Sequence, residues 1–283
     1  MMSWGGTSSA SCRREMYPNN ALGSPPDVAE QVRVGTTDMS APTSGQLDKW
    51  IKAYGVVMLP FAYDDYDHAH RVVDGPSFDW FKQMAEKEGF ILLANWEWGF
   101  DNITNSKRPI NSPADMKGLK MRVPPEVQIQ AAMEALGAVT TIISFPEVYM
   151  ALAQGVADGQ ENPIATIYYT KFYEVQKYLA LTRHVYNNMI HTISVKSWAK
   201  LTPEQKTIFQ EESLKAGAYM RQLMVSQEGD LIAKMEKAGV QVTRPDLAAF
   251  RALMGPAYKR VDEYAGADNV KKYQEFIEAA RKK

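Results

Sequence analysis

The decisive stretch is KGLKMRVPP (residues 117–125), continued by SFPEVYMALAQG (144–155) and closed by VADGQENP (156–163). Apolar Leu119, Met121 and Val123 alternate with Lys120 and Arg122, the period of a strand, so the two basic side chains share one strand face. PPEVQIQAAMEALG (124–137) is a helix with prolines at its start and Gly137 at its end. SFPEVYMALAQG is a second helix, with Ser144 at the cap and Gly155 at the stop. The turn after it presents Gln160, Glu161 and Asn162 together. One arginine at a strand end and one polar turn read as the floor of a pocket for a small anion.

The same plan occurs earlier in the chain. Ser24, Pro26, Asp27, Val28, Gly35 and Asp38 match Ser144, Pro146, Glu147, Val148, Gly155 and Asp158, all 120 positions apart. Capping chemistry alone favours several of these types; the more economical reading is two similar α/β units facing each other across a cleft. Between the copies, GVVMLPFAY (55–63) reads as a buried strand, DDYDHAHRVVDGPSFDWFKQMAEKEG (64–89) as helical, and FILLANWEWGF (90–100) as another buried strand. Downstream, ATIYYTKFYEVQKYLA (165–180) reads as an aromatic-rich helix and HVYNNMIHTISVK (184–196) as a strand. A long helix runs from the Thr202 cap to Gly239, with Gly217 and Ser226 as bend points. QVTRP (241–245) is a brief strand and the C-terminal segment is helical. Strands alternating with helices give an α/β class with largely parallel sheets.

Totals bound the function. At 283 residues the chain is long enough for two domains with a core each. A formal net charge of -1, from 32 basic and 33 acidic residues, gives no footprint for nucleic acid or a membrane surface. No apolar run approaches the roughly 20 residues of a membrane span, so no direct membrane insertion is expected. The single cysteine, Cys12, excludes an intrachain disulfide and a cysteine metal cage. No phosphate loop, nucleophile elbow or zinc signature occurs, and neither cofactor nor metal is expected. Residues 1–16 lack the basic start and apolar segment of a signal peptide and read as an irregular tail.

KGLKMRVPP, FPEVYMALAQGVADGQENP, KFYEVQKYLALTRHVY (171–186) and GFDNITNSKRPI (99–110) together resemble the solute-binding proteins of TRAP transporters, of the DctP type. The resemblance runs from about Tyr17 to the C-terminus. It implies two similar α/β domains with a cleft between them, joined by hinge strands and a long bent helix, a periplasmic binding protein-like fold of type II. It also implies a monomeric periplasmic receptor that captures a small organic acid and delivers it to the membrane components of a sodium-driven symporter. The expected division is a tail over 1–16, a first domain over 17–99 with about 190–227, and a second over 100–189 with about 228–283.

By that resemblance Arg122 corresponds to the arginine that holds the ligand carboxylate, Asn162 to an amide that donates to it, and Phe145 to an aromatic wall. Trp96 and Asn102, on the hinge-side segment, and Tyr168 and Tyr169, as closing aromatics, complete the ligand-binding set. Two departures stand out. Many members carry a second arginine where this chain has Asp101; a carboxylate there repels a dicarboxylate and suits a hydroxyl or amine on the ligand, or orients Arg122. The family also opens with a strand and helix that have no counterpart before MYPNNALG (16–23), so the chain is expected to be truncated or mis-started, with exposed sheet edges.

Each signal has a plainer reading. Arg122 alone fits a surface strand arginine paired with an acid. Asn162 alone fits a turn-former before Pro163, Glu161 a bond inside its loop, and Phe145 a core residue. Tyr168, Tyr169, Phe172 and Tyr173 at helical spacing fit packing. Asp64, Asp65, His68 and His70 invite a metal reading, but an acidic helix start explains the same residues. An enzyme acting on a carboxylate would need Asp101 and Glu161 as its acid and base; a receptor without catalysis is the expectation, with a non-functional truncated copy as the other alternative.

Overall fold

The computed structural model describes residues 15–281; of the expected tail, all but Glu15 and Met16 lie outside them. The chain opens with α1 (Pro25–Val34), β1 (Met39–Ser40), α2 (Ser44–Leu47), α3 (Tyr66–Val73), α4 (Pro76–Ala85) and the long strand β2 (Phe90–Phe100). It crosses to a second sheet through β3 (Asn102–Asn105), β4 (Lys120–Val123), α5 (Val127–Ala135) and β5 (Val139–Ile142). There it continues as α6 (Val148–Ala153), β6 (Gly159–Asn162), α7 (Ile164–Tyr169) and β7 (Tyr178–Ala180). It returns as β8 (Tyr186–Ser194), α8 (Val195–Trp198) and the long α9 (Pro203–Lys237). β9 (Gln241–Thr243), α10 (Leu247–Arg251), α11 (Gly255–Ala265) and α12 (Ala267–Arg281) complete it.

Among the described residues, the strands form two sheets, β1–β8–β2 and β5–β4–β6–β3–β7–β9. The first is antiparallel throughout. The second is mixed: β4 runs parallel to β5 and β6, and β7 to β9, while β3 is antiparallel to β6 and β7. The expected largely parallel sheets give way here for a topological reason. β2 leads out of the first sheet and β8 leads back, so the two legs run in opposite directions, whereas β4 and β5 are joined by a crossover helix.

The two 120-spaced copies fold alike. The backbone N–H of Ser24 donates to Asp27 at 3.0 Å, and Gly35 ends α1 in the left-handed region (φ 83°). The Ser144 hydroxyl donates to Glu147 at 2.7 Å, a 3-10 turn over Phe145–Glu147 leads into α6, and Gly155 is again left-handed (φ 71°). Two elements differ from expectation. Residues 55–63 form a buried 3-10 turn and loop rather than a strand; Pro60 has no N–H to donate, and the Phe61 N–H bonds the His184 carbonyl at 2.8 Å. The aromatic helix stops at Tyr169 because Lys171 turns left-handed (φ 61°), which releases Tyr178–Ala180 into the sheet.

One core cluster packs under the first sheet, where Tyr54 stacks on Phe81 at 3.9 Å between centroids. Two clusters cover opposite faces of the second sheet, and β7 shows the alternation directly, with Ala180 in one and Leu179 in the other. The C-terminal segment, expected whole in the second domain, divides its packing. Phe250, Met254 and Ala257 enter a second-sheet core; Val261, Val270, Tyr273 and Ile277 enter the first.

Helix α9 grips both halves without a break at either expected bend point. Gly217 lies against β2 so closely that an added Cβ would stand 2.8 Å from the Asn95 carbonyl oxygen. Leu231 and Met235 at its other end are buried in the second unit. No helix among the described residues is long and apolar enough to cross a membrane.

Candidate functional site

Arg122 sits at the carboxyl end of β4, between β5 and β6, where the strand gives way to Pro124 and Pro125. Its side chain is 2% exposed and its Nε donates to the Ile143 carbonyl at 2.9 Å. Burial lowers its pKa while Glu161, Glu126 and Asp101 hold the cation in place; a guanidinium keeps its charge under such conditions. Among the described residues it forms no ion pair. The rest of its fork faces a cavity of about 1190 Å³ whose lining comes from both sheets.

β6 delivers the polar turn to the same floor. Asn162 pairs with Asn102 of β3 in the strand register, and its Nδ2 donates to Gln160. Gln160 in turn donates to Thr104 at 2.9 Å, and Thr104 to Gln176 at 3.0 Å. This amide chain fixes Asn162 at the cavity wall. Glu161 and Asp101 line the cavity as well, both buried. Burial raises both carboxyl pKa values, and the Asp101 charge pushes Glu161 further.

Aromatic side chains form the next part of the wall. Phe145 meets Trp98 edge-on at 6.1 Å and Phe172 at 6.2 Å, so it serves the cavity and the core at once. Trp96 lines the cavity while its Nε1 donates to the Ser213 carbonyl of α9 at 3.0 Å, and its ring lies over His191 at 4.4 Å.

Three expected residues are elsewhere. Asn102 is buried beside the crossing strands, where Nδ2 donates to the Phe100 carbonyl at 2.9 Å and Oδ1 accepts from the Arg183 N–H at 3.3 Å. Tyr168 stacks on Tyr173 at 5.3 Å in the second-unit core. Tyr169 is exposed and donates to Gln227 at 2.8 Å. None of the three lines the cavity. The Asn102 amide is taken up by the two crossing strands, the Tyr168 ring by Tyr173 and the Tyr169 hydroxyl by Gln227.

The Asp64–His70 segment is accounted for by bonds of its own. Asp65 caps α3 through the His68 N–H, the His68 ring bridges the Asp64 N–H and the Ile277 carbonyl, and His70 pairs with Glu97.

Glu126 was not anticipated. It is the N-cap of α5, 4% exposed, and accepts from the Thr43 hydroxyl at 2.9 Å. Burial raises its pKa to about 7. Thr43 belongs to the first unit, so this bond spans the cleft. The opposite wall also includes Met39, Asn187, Met189 and His191, the last a ring that burial depresses to about 4. The signal for Glu126 was its place directly after two prolines at a strand-to-helix junction.

A cleft between two α/β units, floored by a buried arginine and a polar turn at strand ends, is the form of a solute-binding protein. Residues 7–264 match the family described as bacterial extracellular solute-binding protein, family 7 (DctP), and the chain belongs to that family. It is 38% identical over 258 residues to the sialic acid-binding periplasmic protein of Vibrio cholerae, covering 91% of this chain and 80% of that one. Among solved structures, a TRAP periplasmic solute binding protein from Roseobacter denitrificans with bound β-D-glucuronate has a TM-score of 0.87 and 33% identity. It covers 92% of this chain and 86% of its own. One from Polaromonas, bound to D-erythronate, has a TM-score of 0.87 and 36% identity, covering 91% and 86%. The two-domain α/β fold of type II and the TRAP-type solute-binding class are thereby established; proteins of this family are receptors for solutes.

Proposed function

We propose that this chain is a periplasmic receptor that captures a small monocarboxylate bearing hydroxyl or other polar groups, and hands it to the membrane components of a TRAP-type symporter. The observation that carries the reading is the Arg122 fork, pre-oriented by the Ile143 carbonyl and open to the cavity. A planar guanidinium pairs bidentately with a carboxylate and discriminates against neutral analogues. Asn162 adds an amide at the same wall, and Phe145 with Trp98 offers an apolar face for the ligand body. Three buried carboxyls around one arginine disfavour a second anionic group on the ligand. Sialic acid, glucuronate and erythronate, named for the three relatives, are each hydroxylated monocarboxylic acids, which supports the same class.

Capture proceeds by hinge closure. The two units turn about the β2–β3 and β7–β8 crossings while α9 spans both, and the ligand favours the closed form by its contacts with each wall. The division into a first unit with β1, β2 and β8 and a second with β3 to β7 and β9 follows the two sheets. The receptor acts as a monomer, binds without turnover and needs no cofactor. A thermal-shift screen over a carboxylate library, followed by calorimetry, tests the reading. Acids are expected to bind and their amides to fail; amides binding as well as acids would overturn it.

A further inference from the structure

Asp101, Glu161 and Glu126 surround Arg122, and they are not equivalent. Glu126 has a donor in Thr43. Both oxygens of Asp101 and Oε2 of Glu161 are closed to solvent and receive no N–H or O–H from the described protein. The strand register explains why these two meet. Asn102 pairs with Asn162 and Ile103 with Glu161, so Asp101 and Glu161 are diagonal neighbours on one face of the sheet. Each carboxyl acts directly on the ionisation of the other. Two carboxylates offer only acceptors, so a bond between them requires a proton on one.

Every charged or titratable group facing the pair leaves that proton in place. Among the described residues, Arg122 on β4 is the cation that acts on the pair, and its pull is opposed by burial and by Glu126 on α5. His184, on the β7–β8 crossing, is depressed to about 3 by burial and is neutral. Without a shared proton the floor would hold three anions against one cation, and an incoming carboxylate would meet net repulsion.

We propose that Asp101 and Glu161 share one proton in the empty cleft and that the pair, by staying protonated, permits anion capture at Arg122, which makes capture proton-linked. The ligand-binding half of this rests on the acid-receptor reading above; the shared proton does not. A bound carboxylate favours the protonated pair and draws a further proton toward Glu126, so affinity falls as pH rises through neutrality. The fall approaches about tenfold per pH unit for each proton taken up.

The first arm of the test needs no ligand. A carboxyl whose folded pKa is raised binds more protons folded than unfolded, so its stabilisation is full on the acid side and is lost as pH rises from the ordinary carboxylate range through the raised value. Asp101→Asn supplies a permanent N–H donor to Glu161 in place of the proton. The melting temperature of Asp101→Asn relative to wild type is therefore expected to climb by roughly 3 °C or more between pH 5 and pH 8. A difference that is the same at every pH would reduce Asp101 to a structural role and overturn the proposal. Glu161→Gln should reproduce the climb, which guards against one variant folding poorly.

The second arm is calorimetry with D-erythronate and D-glucuronate in two buffers of different ionisation enthalpy. Wild type should take up protons on binding and Asp101→Asn should take up fewer; binding heats independent of buffer would overturn the linkage. If acid affinity survives Arg122→Ala, the acid-receptor reading fails while the ligand-free arm still decides the shared proton.

Discussion

Two charge clusters lie near β2, and they are built on opposite principles. Near the first-unit side, Arg221, Arg183 and His70 face Asp74, Glu228 and Glu97, three basic side chains against three acidic ones, each in a pair. At the cleft, Arg122 faces three carboxyls and pairs with none within 4.0 Å among the described residues. A cluster whose charges are matched holds elements together; here it ties α9 to α3 and to the crossing strands. A cluster left unmatched and open to a cavity is held in readiness for something that arrives. The balance of partners distinguishes the two.

Arg122→Ala should break the contrast most severely. Removing the buried cation of the cleft floor is expected to weaken acid binding by roughly 100-fold, about 3 kcal/mol, on the scale of truncating one partner of a buried charge pair. Titration calorimetry measures it, and unchanged affinity would show that the unmatched cluster is not the anion site. Arg221→Ala should act on stability instead. Asp74 is 44% exposed, so the expected cost is about 1–2 kcal/mol rather than the roughly 3–5 kcal/mol of a fully buried pair, read by denaturant unfolding. Acid affinity measured on the folded variant should stay near wild type. Thr43→Val should have the smallest effect. It removes one hydrogen bond to Glu126 and is expected to cost about 1 kcal/mol. The loss should shrink at acid pH, where Glu126 carries its own proton.

How much of this was legible depends on the range over which each residue finds its neighbours. The strand-end place of Arg122 and the polar turn at Asn162 were readable because strand period and turn chemistry act over a few residues. The 120-spaced helices were readable because caps and glycine stops are local. The far wall was not: Thr43, Asn187 and His191 meet the floor only after β8 returns beside β1, and no spacing encodes that return. Glu126 was hidden in what reads as an ordinary helix opening. Tyr168 and Tyr169 misled for the reverse reason, since aromatic character speaks of packing and of pockets alike until Lys171 shows where the helix ends. Residues 55–63 misled because an apolar run does not announce whether its backbone pairs with a strand or closes on itself.

Asn102 has a consequence larger than its place beside the site. Its amide bonds the end of the outgoing crossing at Phe100 and the start of the returning one at Arg183. Next to it, the Asp101 N–H bonds Val185 at 2.8 Å and the His184 N–H bonds Asp101 at 3.3 Å. These two strand crossings are stitched to each other before either reaches its sheet. A turn of one half against the other would therefore strain both crossings together, not each by itself.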